Sequence, residues 1–270
     1  MLEESGMEYE NLVVRRDGHV AVVTLNRPQS GNALSLEMMR ELERAAIGFR
    51  DDMQTRVIIF TGAGKHFSVG VDLKDPEQAL ASTSPLIARQ RLFHLGPRLI
   101  RVLREIDQVT IAAINGAAMG GAACIASALD FRIGAEDCLV GYPESGLAIP
   151  LSWVSLPLCV HLVGPARAKR WVMTSEKLGA GVLQEWGFLD EVVPPGELMQ
   201  RAGKTAEVYA SRSPVAVQMI KRSVNALTTA LDDAIMHMDS DQVLLAESSE
   251  DFKEAVQAFL EKRDPESGER

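Results

Sequence analysis

The stretch "INGAAMGGAACIASALDF", residues 114–131, decides the reading of this chain. An apolar run, Val109–Ile114, stops at Asn115-Gly116, a turn dipeptide. Gly120 and Gly121 then open a segment of helical composition, residues 122–129, with no bulky side chain in its first turn. Glycine destabilises a helix, so two at its start mark a backbone that something must approach closely. On these residues alone two readings stay open. One is tight packing against a neighbouring element. The other is an anion site, because a helix N-terminus carries unpaired N–H groups and the positive end of the dipole. Such a site suits a carbonyl oxygen that gathers negative charge, and it needs a second N–H from elsewhere in the chain.

A candidate for that second donor lies upstream in "TGAGKHFSVGVDL", residues 61–73. The loop lacks the spacing of a phosphate-binding P-loop, since Gly62 and Gly64-Lys65 are too close. "GAGK" by itself fits a surface loop. "HFSVGVD" does not, because Phe67, Val69 and Val71 surround Gly70, and an apolar strip broken by glycine places backbone close to a ligand or another segment.

Working outward, the 270 residues suffice for a sizeable core, and 46% apolar with 24% charged residues is an ordinary globular balance. A net charge of −9 argues against a nucleic-acid partner, which needs a basic surface. Cys124, Cys138 and Cys159 have neither disulfide-framework nor zinc-ligand spacing, so no metal site is expected and a reducing, cytoplasmic setting is. "MLEESGMEYENL" is acidic and has no apolar h-region, which predicts no signal peptide. No apolar run approaches the ~18 residues of a membrane span.

The chain changes texture once. Up to about residue 195, strand candidates alternate with helices, which predicts an α/β core. The strand candidates are residues 11–16, 20–26, 55–62 and 109–114, then the shorter "DFRIGA" and "CLVGYP". Residues 35–50 read as a helix capped by Ser35. From 196 to 270 four amphipathic helical segments follow, "LMQRAGKTAEVYASR", "PVAVQMIKRSVNAL", "ALDDAIMHMDSDQVLLA" and "DFKEAVQAFLEKR", and the tail "DPESGER" reads as frayed.

"NRPQSGNALS" (26–35), "HFSVGVDL" (66–73), "INGAAMGGA" (114–122) and "GYPESGLAIP" (141–150) occur in this order. Together with "WGFLDEVVP" (186–194) and "FKEAVQAFLEKR" (252–263), they resemble the enoyl-CoA hydratase/isomerase, or crotonase, family almost end to end. The resemblance implies a spiral of strand–strand–helix turns in residues 1–195. It implies a helical region in 196–270 that builds trimers, often paired into hexamers. It implies an acyl-CoA substrate, so that coenzyme A belongs to the substrate and no separate cofactor is called for. The N–H groups of Val71 and Gly121 would grip the thioester oxygen. Ala33, the segment Val69, Gly70, Asp72 and Leu73, and Gly120 would line the coenzyme A path. Phe259 and Lys262 match C-terminal positions that reach coenzyme A on a neighbouring subunit. Gln29 replaces the family's basic residue after "RP", which removes one phosphate contact.

The resemblance also places a general acid/base at Glu144, in "YPESG". A second glutamate, carried by the fully equipped hydratases on the helix after the double glycine, falls on Cys124 here. Hydration activates water at C3 and delivers a proton to C2, work suited to two carboxylates, and a buried thiol is a poor substitute. A lone Glu144 suits double-bond isomerisation between C4 and C2. Hydration with Glu144 and backbone groups holding water is one alternative, and an acyl-CoA binder without turnover is another. Residues 145–163 hold no acid for dehalogenase-like chemistry, and position 152 is serine where dienoyl-type isomerases want an acid, so His94 and His161 read as structural or surface residues. "AIPLSWVSLP" departs from the family's glycine-rich loop, and Trp153 is placed to narrow an acyl pocket.

Overall fold

The computed structural model describes residues 3–4, 9–81 and 84–266. The tail residues 267–270 and most of the N-terminal stretch, for which no signal peptide is predicted, lie outside the described residues.

Among the described residues, ten strands run in chain order: β1 (Glu3–Glu4), β2 (Leu12–Asp17), β3 (Val20–Leu25), β4 (Val57–Gly62), β5 (Val109–Ile114), β6 (Ala117–Met119), β7 (Phe131–Ala135), β8 (Leu139–Gly141), β9 (Lys177–Gly179) and β10 (Glu191–Val193). They form a seven-stranded sheet, β1-β2-β3-β4-β5-β7-β10, and a three-stranded sheet, β6-β8-β9. The hairpin β2–β3 is antiparallel, whereas β3 through β10 run parallel in the large sheet. One turn of the spiral is visible in β5–β6–helix–β7–β8. Each pass gives one strand to the large sheet and one to the small sheet, and the helix Gly121–Ala128 closes it. The crotonase-type spiral is therefore the observed architecture.

Parallel strands covered on both faces are continuously apolar. β5 is buried at every position, and β4 sends Ile58 and Phe60 to one core and Val57 and Ile59 to the other. The larger core packs the helices Leu36–Gly48 and Leu95–Arg104 against the sheet. The opposite face is covered by the helix Leu198–Ala210, through Leu198, Ala202 and Ala206 at helical spacing. The first helix past residue 195 therefore packs directly on the sheet that precedes it.

Ser35 caps its helix as the sequence predicts, its Oγ accepting the Met38 N–H at 3.2 Å. The third C-terminal segment departs from prediction. It breaks into Asp232–Ile235 and Asp239–Ala246, and Asp239, the first residue of the second piece, turns its side chain inward to a backbone N–H of another loop. β6, β9 and β10, three residues each, carry too little pattern to be read from sequence. Among the described residues no helix is long and apolar enough to cross a membrane.

Candidate active site

Three polar side chains fix the glycine-rich loop after β4. Asn32, fully buried and at φ 57°, donates to the carbonyls of Ala63 (2.8 Å) and His66 (2.6 Å). Asn115 donates to the carbonyls of Gly62 (2.9 Å) and Gly64 (3.0 Å). His66 Nδ1 accepts the Ala117 N–H at 3.1 Å. Farther along, Ser68 pairs with Ala118 as a single parallel bridge, and Leu34 with Val71 as another.

That second bridge orients a donor. Leu34 N–H donates to the Gly70 carbonyl (2.8 Å), and Asp72 N–H donates to the Leu34 carbonyl (3.0 Å). Extended backbone alternates its N–H directions, so the Val71 N–H points away from Leu34, and it has no backbone acceptor among the described residues. Gly70, at φ 96°, packs backbone to backbone on the next turn of the spiral: a Cβ there would stand 2.7 Å from the Met119 carbonyl oxygen. Gly120, at φ 52°, is the N-cap of the helix Gly121–Ala128, and Gly121 is its first residue, with an N–H that no helical carbonyl can reach. The loop and the helix start predicted from sequence are therefore brought together by main-chain bonds.

Both open on a cavity of about 810 Å³. Its lining includes Ala33, Val69, Gly70, Val71, Asp72, Leu73, Gly120, Gly121, Cys124 and Glu144, and Gln29 as well. The Asp72 carboxylate is held by Arg27 (2.9 Å), so it braces its segment. The helix Glu250–Glu261 lays Phe252, Val256, Phe259 and Leu260 along the same cavity. Phe259 thus faces the site of its own chain. Lys262 sits in left-handed conformation at the end of that helix and is not part of the lining.

Glu144 begins a short 3₁₀ turn, Glu144–Leu147, anchored by the Ser145 hydroxyl on the Val172 carbonyl (2.8 Å). It is 8% exposed, and its Oε2 has no hydrogen-bond partner among the described residues. A Cβ on Gly120 would stand 3.3 Å from Oε1, so the carboxylate lies against the start of the helix. Burial pushes its carboxyl up to about 7, the range in which a carboxylate serves as both proton acceptor and donor. Cys124, one turn into the helix and 2% exposed, is also held well above its ordinary value, by burial first and then by Glu144. It stays a neutral thiol.

A second wall, against Gly121, is Trp153. A Cβ at Gly96 would stand 2.1 Å from its Cε2 and Nε1, and one at Gly121 would stand 2.7 Å from its Cη2 and Cζ3. Trp153 (φ 62°) and Val154 (φ 56°) are both left-handed, a conformation that costs a non-glycine residue about 1–3 kcal/mol. Asp239, 4% exposed, accepts the Val154 N–H at 2.7 Å and holds this kink. Gly96 and Asp239 escape the sequence reading. A glycine next to Pro97 inside an amphipathic helix is a signal for the first, and nothing near Asp239 signals the second.

Comparison with known proteins agrees with this geometry. A family model described as enoyl-CoA hydratase/isomerase matches residues 15–270. The chain is 33% identical to a short-chain-enoyl-CoA hydratase of Clostridium acetobutylicum, over 95% of this chain and 97% of that protein. It is 33% identical to a crotonyl-CoA hydratase of Syntrophomonas wolfei, again over 95% and 97%. Among solved structures, an enoyl-CoA hydratase from Bacillus anthracis superposes with a TM-score of 0.76 at 32% identity, covering 95% of this chain and 98% of that one. An enoyl-CoA hydratase/isomerase from Xanthobacter autotrophicus reaches 0.85 at 28% identity, covering 95% and 98%. Sequence, fold and comparisons thus agree that the chain belongs to the enoyl-CoA hydratase/isomerase family.

Proposed function

We propose that the protein acts on an acyl-CoA thioester and moves a carbon–carbon double bond through an enolate, with Glu144 as its general acid/base. The thioester oxygen sits between the Val71 and Gly121 N–H groups. Glu144 takes a proton from C2 of a 3-enoyl chain, the charge spreads onto the gripped oxygen, and the proton returns at C4 to give the 2-enoyl product. The observation that carries this reading is the buried Glu144 carboxylate beside Gly120, its Oε2 without a partner among the described residues, with a neutral thiol at Cys124 one helical turn inside. One carboxylate suffices for a proton shuttle, whereas water addition needs a second group to activate the water. Coenzyme A is part of the substrate, and no separate cofactor takes part.

Hydration of a 2-enoyl-CoA is the second reading, and the names of the two relatives, a short-chain-enoyl-CoA and a crotonyl-CoA hydratase, favour it. Purified protein offered 2-enoyl- and 3-enoyl-CoA panels, with hydration and bond migration followed separately, distinguishes the two. Binding without either reaction leaves a non-catalytic acyl-CoA binder.

The assembly proposed is a homotrimer, or a hexamer of paired trimers. Along the helix Pro214–Thr228, Val215, Met219, Ile220, Val224 and Leu227 are all at least half exposed, an apolar face that another copy would cover. Light scattering at micromolar concentration tests it, and a monomer contradicts it.

A further inference from the structure

We propose that Trp153 sets the depth of the acyl pocket and restricts the protein to short acyl chains. The inference rests on the acyl-CoA reading above and deepens it. The indole bridges two helices at the only side chains they lack. Its Nε1 and Cε2 lie over Gly96, and its Cη2 and Cζ3 lie over Gly121. Neither position tolerates even a methyl group while the ring is there, because the contacts would be 2.1 and 2.7 Å. The ring is half-buried, lines the cavity, and abuts the residue whose N–H is assigned to the thioester oxygen. A thioester gripped there has the first carbons of its chain beside that ring edge, with the indole occupying the space between the helices Leu95–Arg104 and Gly121–Ala128.

The wall is held in place from behind. The left-handed pair Trp153-Val154 is locked by the Asp239 carboxylate on the Val154 N–H (2.7 Å), while the Ser155 hydroxyl donates to the Trp153 carbonyl (3.0 Å). These bonds fix the main chain that carries the indole, and the ring itself is held by its packing over Gly96 and Gly121. Asp239 is therefore a positioning residue for this wall and touches no substrate.

Titration calorimetry with the saturated butyryl-CoA and decanoyl-CoA, which bind without reacting, tests the inference independently of turnover. Each methylene that enters an apolar pocket strengthens binding by about 4-fold. Wild type is expected to bind decanoyl-CoA no more tightly than butyryl-CoA. Trp153→Ala is expected to bind decanoyl-CoA at least ~10-fold more tightly than butyryl-CoA, by the same methylene scale. Trp153→Leu, which keeps an apolar side chain against the core, is expected to fall between them and secures the test if the alanine variant does not fold. Wild-type affinity that climbs steadily from four to ten carbons overturns the proposal and leaves the acyl-CoA reading standing. A chain-length profile unchanged in both folded variants overturns it as well. Failure of the folded wild type to bind either thioester overturns the acyl-CoA reading itself, and this inference with it.

Discussion

The cavity has two walls built on opposite principles. The wall proposed to face the thioester oxygen is main chain. Val71 and Gly121 offer N–H groups, and Gly70 and Gly120 bring two segments within backbone contact. The adjoining wall is a side chain, Trp153, whose backbone is held through the Val154 N–H by the Asp239 carboxylate, 85 residues from Val154 in sequence. A backbone wall tolerates almost any neighbouring side chain and changes little, so it preserves the chemistry of oxyanion stabilisation. A side-chain wall can be exchanged by one substitution and tunes what is admitted. Beside them stands Glu144, whose buried Oε2 has no hydrogen-bond partner among the described residues.

The largest effect is expected at Glu144, which serves both walls. Glu144→Gln keeps the shape but cannot accept a proton, and turnover is expected to fall by roughly 10³-fold with little change in KM. Its pH dependence has a defined sign. The folded pKa is raised, to about 7 from an ordinary 4.5, so the folded state holds a proton that the unfolded state releases. Stability lost at this site therefore grows as pH rises from about 4.5 to 7, up to about 3 kcal/mol, and is absent below that window. Glu144→Gln should melt higher than wild type at pH 8 and equally at pH 4, while wild-type kcat/KM should rise through pH about 7. Equal melting temperatures at pH 8 would show that the carboxylate is solvated.

Next in size is the backbone wall. Val71→Pro removes one donor and leaves the Leu34 bonds to residues 70 and 72 in place, and a loss of about 10²-fold in kcat is expected. The corresponding change at Gly121 would test less, since any Cβ there collides with Trp153. Unchanged turnover in folded Val71→Pro would remove Val71 from the oxyanion pair.

The side-chain wall should respond in stability first. Asp239→Ala leaves the buried Val154 N–H unpaired and should cost about 1–3 kcal/mol in urea unfolding, with a looser chain-length preference. A variant as stable as wild type would mean that the kink needs no clamp. The smallest effect is expected from Cys124→Glu. It restores a two-carboxylate arrangement, but the position is 2% exposed and crowded by small residues, so a gain of only ~3-fold in the ratio of hydration to isomerisation is expected.

The same contrast explains what could be read from the sequence. The backbone wall was legible because it demands glycine at fixed places: Gly70 and Gly120 adopt φ of 96° and 52°, and both stand inside apolar segments. The large-sheet strands 109–114, 20–25 and 57–62 were legible from continuous burial or alternation. The three-residue strands β6, β9 and β10 carried no pattern, since the register of the small sheet comes from neighbours such as Gly116 and Gly141. Gly96 and Asp239 stayed hidden for another reason. Gly96 lies 57 residues from Trp153 and Asp239 lies 85 residues from its partner Val154, and a pairing over such distances leaves no local periodicity. The resemblance implied that Phe259 reaches coenzyme A on a neighbouring subunit, and its place along its own chain's cavity depends on how the last helix folds back, which no local pattern carries.

The claim that one carboxylate runs this site is tested most directly by measuring, on one preparation, isomerisation of a 3-enoyl-CoA and hydration of crotonyl-CoA, in wild type and in Glu144→Gln. The account predicts that wild type isomerises faster than it hydrates and that the single substitution abolishes both reactions. Hydration that outpaces isomerisation, and that survives in Glu144→Gln, would contradict it.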